Sequence, residues 1–410
     1  MRAILHSDLN SYYANVEILL NPELRGKAVA VCGNTEERRG IVLAKSALAK
    51  KYGVKTGMVN WEAKIACPEL ILVPPQYEQY IKFSSLVREI YSRYTDMIEP
   101  FGMDECWLDV TNSKTHGTAM EIAENIRKTC KRELGLTVSI GVSYNKIFAK
   151  LGSDMKKPDA ITQITRENYK SKVWPLAADE LMGIGPATKR KLFALGVKTI
   201  GDLACCDSEV LKSWLGINGV KLWEYANGRD YSRVAPAGYV APAKTVGHGI
   251  TCNADLNCRQ DVKKVLLSLS PGVSYQLRKI GMKACGVSLT LRDNELHFHE
   301  YQTKLPYPTQ SWHELTDEAM QLLINRYKWE KPVRAVTIRA INLISEKLPQ
   351  QSDIFENQIL REKTETLERT IDDIQRRFGE QSIKIAATMT AKAKRNAAME
   401  KLTMPSVMYT

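Results

Sequence analysis

The stretch Ile98-Glu-Pro-Phe-Gly-Met-Asp-Glu-Cys-Trp-Leu-Asp109 places two carboxylates side by side, Asp104 and Glu105, at the start of a run in which Cys106, Leu108 and Val110 alternate with Glu105, Trp107 and Asp109. A period of two marks a β-strand with one buried face. Upstream, Ala3-Ile-Leu-His-Ser-Asp8 reads as a buried strand with Asp8 at its C-terminal end. It leads into a helix that carries Tyr12, Tyr13 and Val16 and that Asn10 or Ser11 is placed to cap. Paired edge to edge, the two strands bring Asp8, Asp104 and Glu105 into one cluster. An isolated acidic pair is most often a solvated turn. Three carboxylates gathered in a fold are different, because a buried charge left unpaired costs several kcal/mol and needs a cation. The arrangement points to a two-metal site, and magnesium suits it because that ion takes oxygen ligands and keeps waters and substrate phosphates in its shell.

A chain of 410 residues is too long for one ordinary core and implies two to four domains. Its 58 Lys and Arg against 46 Asp and Glu leave a formal charge of +12, which favours a polyanionic partner, nucleic acid or an anionic membrane surface, the plain alternative being a charge that only keeps the protein soluble. No stretch approaches the roughly 20 apolar residues of a membrane span, and the N-terminus lacks the charged-then-apolar pattern of a secretion signal. A cytoplasmic protein without a membrane partner is expected. Nine cysteines, an odd number without a C-x-x-C pair, read as reduced thiols, and six scattered histidines support no catalytic assignment.

Segment 3–165 alternates strands and helices. Ala28–Cys32 and Thr137–Tyr144 are strand-like, and Tyr80, Phe83, Val87, Ile90 and Tyr94 form a helical stripe. From about 166 to 230 short helices take over. There Leu181-Met-Gly-Ile-Gly-Pro-Ala-Thr-Lys-Arg-Lys191 has the apolar-Gly-apolar-Gly turn of a helix-hairpin-helix, and Leu215-Gly-Ile-Asn-Gly-Val220 is a poorer copy. Such a turn presents backbone N–H groups to a DNA phosphate without regard to sequence, and Gly183, Gly185, Lys189 and Arg190 are its DNA-contact candidates. The plain alternative is a turn between packed helices. Residues 231–244 have the Pro-, Ala- and Gly-rich composition of a linker. A second α+β unit, 245–345, has strand candidates at Cys285–Leu291 and Val333–Arg339, where alternating basic residues suit a nucleic-acid backbone. In the last segment, 346–410, Leu360, Leu367, Ile371, Ile374 and Phe378 form a helical stripe ending at Gly379.

Taken together, these runs are recognisable. Asp8-Leu-Asn-Ser-Tyr-Tyr-Ala-Asn-Val-Glu17, Gly102-Met-Asp-Glu-Cys-Trp-Leu-Asp109 and Val138-Ser-Ile-Gly-Val-Ser-Tyr-Asn-Lys-Ile-Phe-Ala-Lys150, with Met155-Lys-Lys-Pro158 and Leu181–Leu195, resemble the Y-family of translesion DNA polymerases over residues 1–345. The tail around Ile371-Asp-Asp-Ile-Gln-Arg-Arg-Phe-Gly379 looks like that of the plasmid- and phage-borne, damage-inducible bacterial branch.

The resemblance implies an α+β multidomain right hand. Its parts are a ferredoxin-like palm (1–10 and 76–165), small fingers (11–75), a helical thumb with the helix-hairpin-helix (166–230), a linker (231–244), a little finger (245–345) and a C-terminal tail (346–410). It implies template-directed, low-fidelity DNA synthesis opposite damaged bases by a monomer acting on primer-template DNA and deoxynucleoside triphosphates. Asp8, Asp104 and Glu105, with the backbone carbonyl of Leu9, would hold two Mg²⁺ ions. Tyr13 would be the steric gate beneath the sugar, and the turn at Tyr12 would meet the triphosphate. Lys50 and Lys157 fall where the family has basic triphosphate ligands. Here the chain departs from the pattern: the commoner Tyr-x-Ala-Arg is Ala47-Leu48-Ala49-Lys50, which loses a tyrosine hydroxyl and the bidentate fork of arginine. Weaker nucleotide affinity, or a compensating contact from Lys45 or Ser46, is expected. Gln351-Ser-Asp-Ile-Phe355 resembles the peptide by which bacterial polymerases bind the sliding clamp, with Ile354 and Phe355 filling an apolar pocket and Gln351 making polar contacts. The competing readings are a non-catalytic DNA- and clamp-binding scaffold derived from a polymerase, and another two-metal enzyme with a similar palm, such as a nucleotide cyclase.

Overall fold

The computed structural model describes residues 2–36, 38, 40–349, 358–379 and 382–389. Gln351, Ile354 and Phe355 lie outside the described residues. The described residues form two compact units: those in 2–33 with 41–241, and those in 34–40 with 242–389.

Among the described residues, eight strands belong to the first unit: β1 (Ile4–Leu9), β2 (Val29–Cys32), β3 (Val42–Lys45), β4 (Ile71–Val73), β5 (Ile98–Pro100), β6 (Glu105–Asp109), β7 (Val138–Ser143) and β8 (Ile161–Gln163). Five form a sheet in the order β5-β6-β1-β7-β8. Apolar β1 takes its centre, antiparallel to both β6 and β7, and all six of its residues are buried. Because helices Ala119–Thr129 and Lys146–Met155 pack on this sheet, β6 has no solvated face. Trp107, expected outside from the alternation, is fully buried and donates from Nε1 to the carbonyl of Lys146 at 2.9 Å.

The remaining strands form a small sheet, β3-β2-β4, with helices Ala47–Lys51 and Asn60–Ala66 around Ala30, Val42, Ala49 and Leu70. Neither Asn10 nor Ser11 caps helix Tyr12–Leu20. Ser11 adopts a left-handed conformation (φ +46°) without a capping bond, while the Asn10 side chain donates to Ser139 Oγ and accepts from Asp159 N.

Short helices joined by loops make up residues 169–226. In the hairpin motif the first arm is only the 3-10 turn Ala178–Glu180. Gly183 (φ +95°) makes the turn, and Gly185 and Pro186 open helix Pro186–Ala194, where proline's missing N–H costs nothing. The second glycine motif joins helices Ser208–Leu215 and Ile217–Ala226 through Gly216. The composition-based linker begins too early: Val234 and Ala235 are buried. The Ala235 N–H donates to Glu99 at 2.9 Å and that of Ala237 to the carbonyl of Asp96 at 2.7 Å, so this segment belongs to the core of the first unit.

The second unit is one antiparallel sheet, ordered β11-β10-β12-β9, of β9 (Val246–Leu256), β10 (Met282–Asp293), β11 (Phe298–Thr309) and β12 (Val333–Ser345). Helices Arg259–Lys279 and Trp312–Arg326 share its apolar core. Arg339 on β12 is already paired, with Glu300 at 3.0 Å. The tail helix spans Gln358–Phe378, but its apolar stripe is not its docking face. Glu368, about a quarter turn away around the helix, is buried and accepts from Arg278 (3.0 Å) and Ser311 Oγ (2.7 Å), Asp372 pairs with Arg278 (2.7 Å), and Arg361 pairs with Glu314 (2.9 Å). Leu360, Leu367 and Phe378 are exposed. Complementary charges on the unit, rather than apolar burial, decide which side of the helix faces inward.

Candidate active site

The register of β1 and β6 sets Asp8 directly opposite Glu105, the closest side-chain neighbours a sheet provides. Asp104 is fixed beside them because its carbonyl accepts the N–H of Leu9 at 2.9 Å. Acids nearly one hundred positions apart in the chain thus meet at one end of the sheet. On the same face lie His6, opposite Trp107, and Gly141 of β7, opposite His6.

The three carboxylates are not alike. Burial raises Asp8 to about 7, although Lys157 Nζ is 2.9 Å from its Oδ1 and also pairs with Asp154 at 2.8 Å. Burial, reinforced by the neighbouring Glu105, also raises Asp104. Glu105 goes the other way: burial alone would raise it, but His6, 3.2 Å from Oε2, and Lys150, paired with the same oxygen, hold it down at about 2. With lysines on Asp8 and Glu105, no three His, Cys, Asp or Glu side chains among the described residues are closed around a common point. The donor set, three carboxylates and a backbone carbonyl, is nonetheless the hard-oxygen set that Mg²⁺ takes. Burial holds the pKa of two of its members, Asp8 and Asp104, above the ordinary carboxylate value. The residues fit the metal.

Beside the acids opens a cavity of about 660 Å³, lined by Asp8, Asp104, Tyr12, Lys45, Lys50 and Lys157 among others. The Lys157–Pro158 peptide is cis. Lys45 Nζ donates to Thr56 Oγ1 at 2.9 Å, and its pKa is lowered by burial and by the charge of Lys50. Ser46 is buried, and its hydroxyl oxygen accepts from Val29 N (3.0 Å) and, as the helix cap, Ala49 N (3.3 Å). Its hydroxyl is thus engaged within the fold, and Lys45 is the one of the two that lines the cavity. Tyr12 donates its hydroxyl to the carbonyl of Tyr80. Tyr13, beside the cavity rather than among its lining residues, stacks on Tyr80 with ring centroids 4.2 Å apart and planes 7° from parallel, and its hydroxyl reaches Met103 Sδ at 3.7 Å. In the hairpin, Arg190 is exposed and Lys189 pairs with Asp179 at 2.8 Å.

His6, Lys150 and Tyr80 had no assigned role in the sequence reading. A signal for His6 existed: it precedes Asp8 by two residues on a strand and so shares its face.

Comparison with known proteins agrees with this geometry. Residues 7–154 match the model of the impB/mucB/samB family and residues 243–354 that of its C-terminal domain. The chain is 46% identical over 384 residues to a DNA polymerase IV of Acetivibrio thermocellus, covering 93% of this chain and 96% of that one. It is 36% identical over 390 residues to the DNA polymerase IV of Moorella thermoacetica (95% and 96% covered) and 36% over 391 residues to DNA polymerase IV 1 of Bacillus subtilis (95% and 93%). The fold matches a Y-family DNA polymerase chimera, Dbh-Dpo4-Dbh, with a TM-score of 0.74 at 24% identity, over 84% of this chain and 99% of that one. No helix among the described residues is long and apolar enough to cross a membrane. Fold, acidic cluster and relatives agree: the chain belongs to the impB/mucB/samB family of Y-family translesion polymerases and is a DNA-directed DNA polymerase of low fidelity.

Proposed function

We propose that Asp8, Asp104, Glu105 and the Leu9 carbonyl hold two Mg²⁺ ions at the centre where a deoxynucleotide is joined to a primer. The observation that carries this is the register placing Asp8 opposite Glu105, with Asp104 bound to Leu9, on the rim of a lysine-lined cavity. When bound, such ions supply Lewis acidity, lowering the pKa of the primer 3′-hydroxyl and neutralising the departing pyrophosphate.

The protein's own groups do the placing. Tyr12, Lys50 and Lys157 face the triphosphate, and Lys157 exchanges Asp8 for phosphate oxygens. Lys45, not Ser46, supplies the compensating contact for the missing tyrosine and arginine. Tyr13, braced by Tyr80, bars a 2′-hydroxyl. Gly183, Gly185, Lys189 and Arg190 meet the DNA backbone. The five-stranded sheet is the palm, the three-stranded sheet the fingers, residues 166–230 the thumb and 245–345 the little finger. Gln351, Ile354 and Phe355 engage a bacterial sliding clamp, and the enzyme acts as a cytoplasmic monomer in a DNA-damage response. Primer extension with Mg²⁺ tests the centre. Wild type extends and Asp104→Ala does not, whereas extension by Asp104→Ala at the wild-type rate, or none by wild type, overturns the proposal.

A further inference from the structure

Beneath Glu105 lies a buried polar array that the assignments above leave without a function. It begins with Gly141. A Cβ at this position would sit 1.8 Å from the carbonyl oxygen of Ala149 and 2.6 Å from Ser153 N. Only glycine lets helix Lys146–Met155 lie this close to the sheet. The close approach sets Ser153 Oγ 2.8 Å from His6 Nδ1 and 2.7 Å from the carbonyl of Lys150, while Lys150, one helical turn before Ser153, reaches Glu105. The His6 ring is fully buried and held edge-on to Trp107, centroids 5.2 Å apart. Its Nε2 has no hydrogen-bond partner and lies 3.2 Å from Glu105 Oε2. Lys150 takes the same oxygen.

We infer that His6, oriented by Ser153, and Lys150 are positioning residues that aim Glu105 before an ion arrives, holding Oε2 from beneath and leaving Oε1 for the metal. The inference rests on the two-ion reading above. The Ser153 hydroxyl has one proton. It can go to the carbonyl of Lys150 or to Nδ1; in the proposed tautomer it goes to Nδ1, and the imidazole proton then sits on Nε2, 3.2 Å from Glu105 Oε2. Residues that support a metal ligand in this way set its orientation, and their loss weakens metal binding about 10- to 100-fold. The design differs from that of Asp8, whose lysine partner lines the substrate cavity and is free to move to a phosphate.

The test uses the full chain on primed DNA, with Mn²⁺ binding followed by electron paramagnetic resonance alongside the Mg²⁺ dependence of nucleotide incorporation. His6→Leu is expected to weaken Mn²⁺ binding by about 10- to 100-fold and to raise the Mg²⁺ requirement in parallel, with nucleotide KM at saturating Mg²⁺ unchanged. His6→Gln, which keeps a donor, recovers most of the loss. Ser153→Ala and Lys150→Met, which spare the core ring, each reproduce part of it if His6→Leu folds poorly. Wild-type Mn²⁺ binding in His6→Leu, or in both Ser153→Ala and Lys150→Met, overturns the inference, as does equal damage from Gln and Leu. An Asp104→Ala enzyme that binds and polymerises normally refutes the two-ion reading itself, a separate and distinguishable failure.

Discussion

Replacing Lys146 by Met should destabilise the first unit by about 3–5 kcal/mol, the usual result of breaking a buried ion pair from one side. The Lys146 side chain is fully buried, and burial pulls its pKa down despite its partner. Its ammonium lies 2.7 Å from both oxygens of Glu99, 3.1 Å from the carbonyl of Arg233 and 4.6 Å from the centre of the Trp107 ring. Asp230 joins the array by accepting the N–H of Lys146 at 3.1 Å. In Lys146→Met the Glu99 carboxylate stays buried, keeping the Ala235 N–H but losing its cation. Glu99→Leu should cost less, because the ammonium retains the Arg233 carbonyl and the Trp107 face, worth about 2 kcal/mol when desolvated. The double variant removes both charges, and well-packed apolar replacements of buried pairs are often neutral. It should recover most of the loss, a coupling of about 2–3 kcal/mol. Native-state hydrogen exchange at amides of β5 and β6 reads this free energy within the first unit alone. Single variants within about 0.5 kcal/mol of wild type, the range of ordinary surface changes, or a double variant equal to the sum of the singles would mean that the buried pair is not coupled.

Three further outcomes are expected. Tyr13→Ala should admit ribonucleotides, seen as a fall in the ratio of deoxy- to ribonucleotide kcat/KM; an unchanged ratio removes the gate assignment. Lys45→Ala should raise nucleotide KM by about tenfold, the loss of one charged hydrogen bond of about 1.5 kcal/mol, with kcat largely kept, and Lys45→Arg should restore it; an unaltered KM in Lys45→Ala contradicts the role. Native Asp8 holds its proton up to about 7 while its ordinary value is 3.8, so the metal-free native state binds more protons across that interval and its stability falls as pH rises through it. A divalent ion must displace that proton, so Mg²⁺ affinity measured by titration should climb with pH up to about 7 and then level off, and a flat profile would count against the assignment.

What could be read from the chain depended on how local the cause was. The meeting of Asp8 with Glu105 was legible because two short apolar strands, each ending or starting in an acid, have few ways to pair. The roles of His6 and Lys150 were not, because they depend on how closely one helix approaches the sheet, and that is set by Gly141, remote in sequence from both acids. Composition misplaced the start of the linker: Pro, Ala and Gly around 235 look like a tether, yet Glu99, more than a hundred residues away, captures the Ala235 N–H. The tail helix was foreseen and its orientation was not, since periodicity assumes that apolar residues face inward. Arg278 and Glu314 reverse that by offering ion-pair partners to the polar side.

The most direct test of the central claim is anomalous diffraction from the enzyme crystallised with primer-template, Mn²⁺ and a non-hydrolysable deoxynucleotide analogue. Two peaks about 3.5–4 Å apart are expected, within ligand distance of Asp8, Asp104 and Glu105, with Lys157 withdrawn from Asp8. Absence of both peaks there, or ions seated away from these three carboxylates, would contradict that claim.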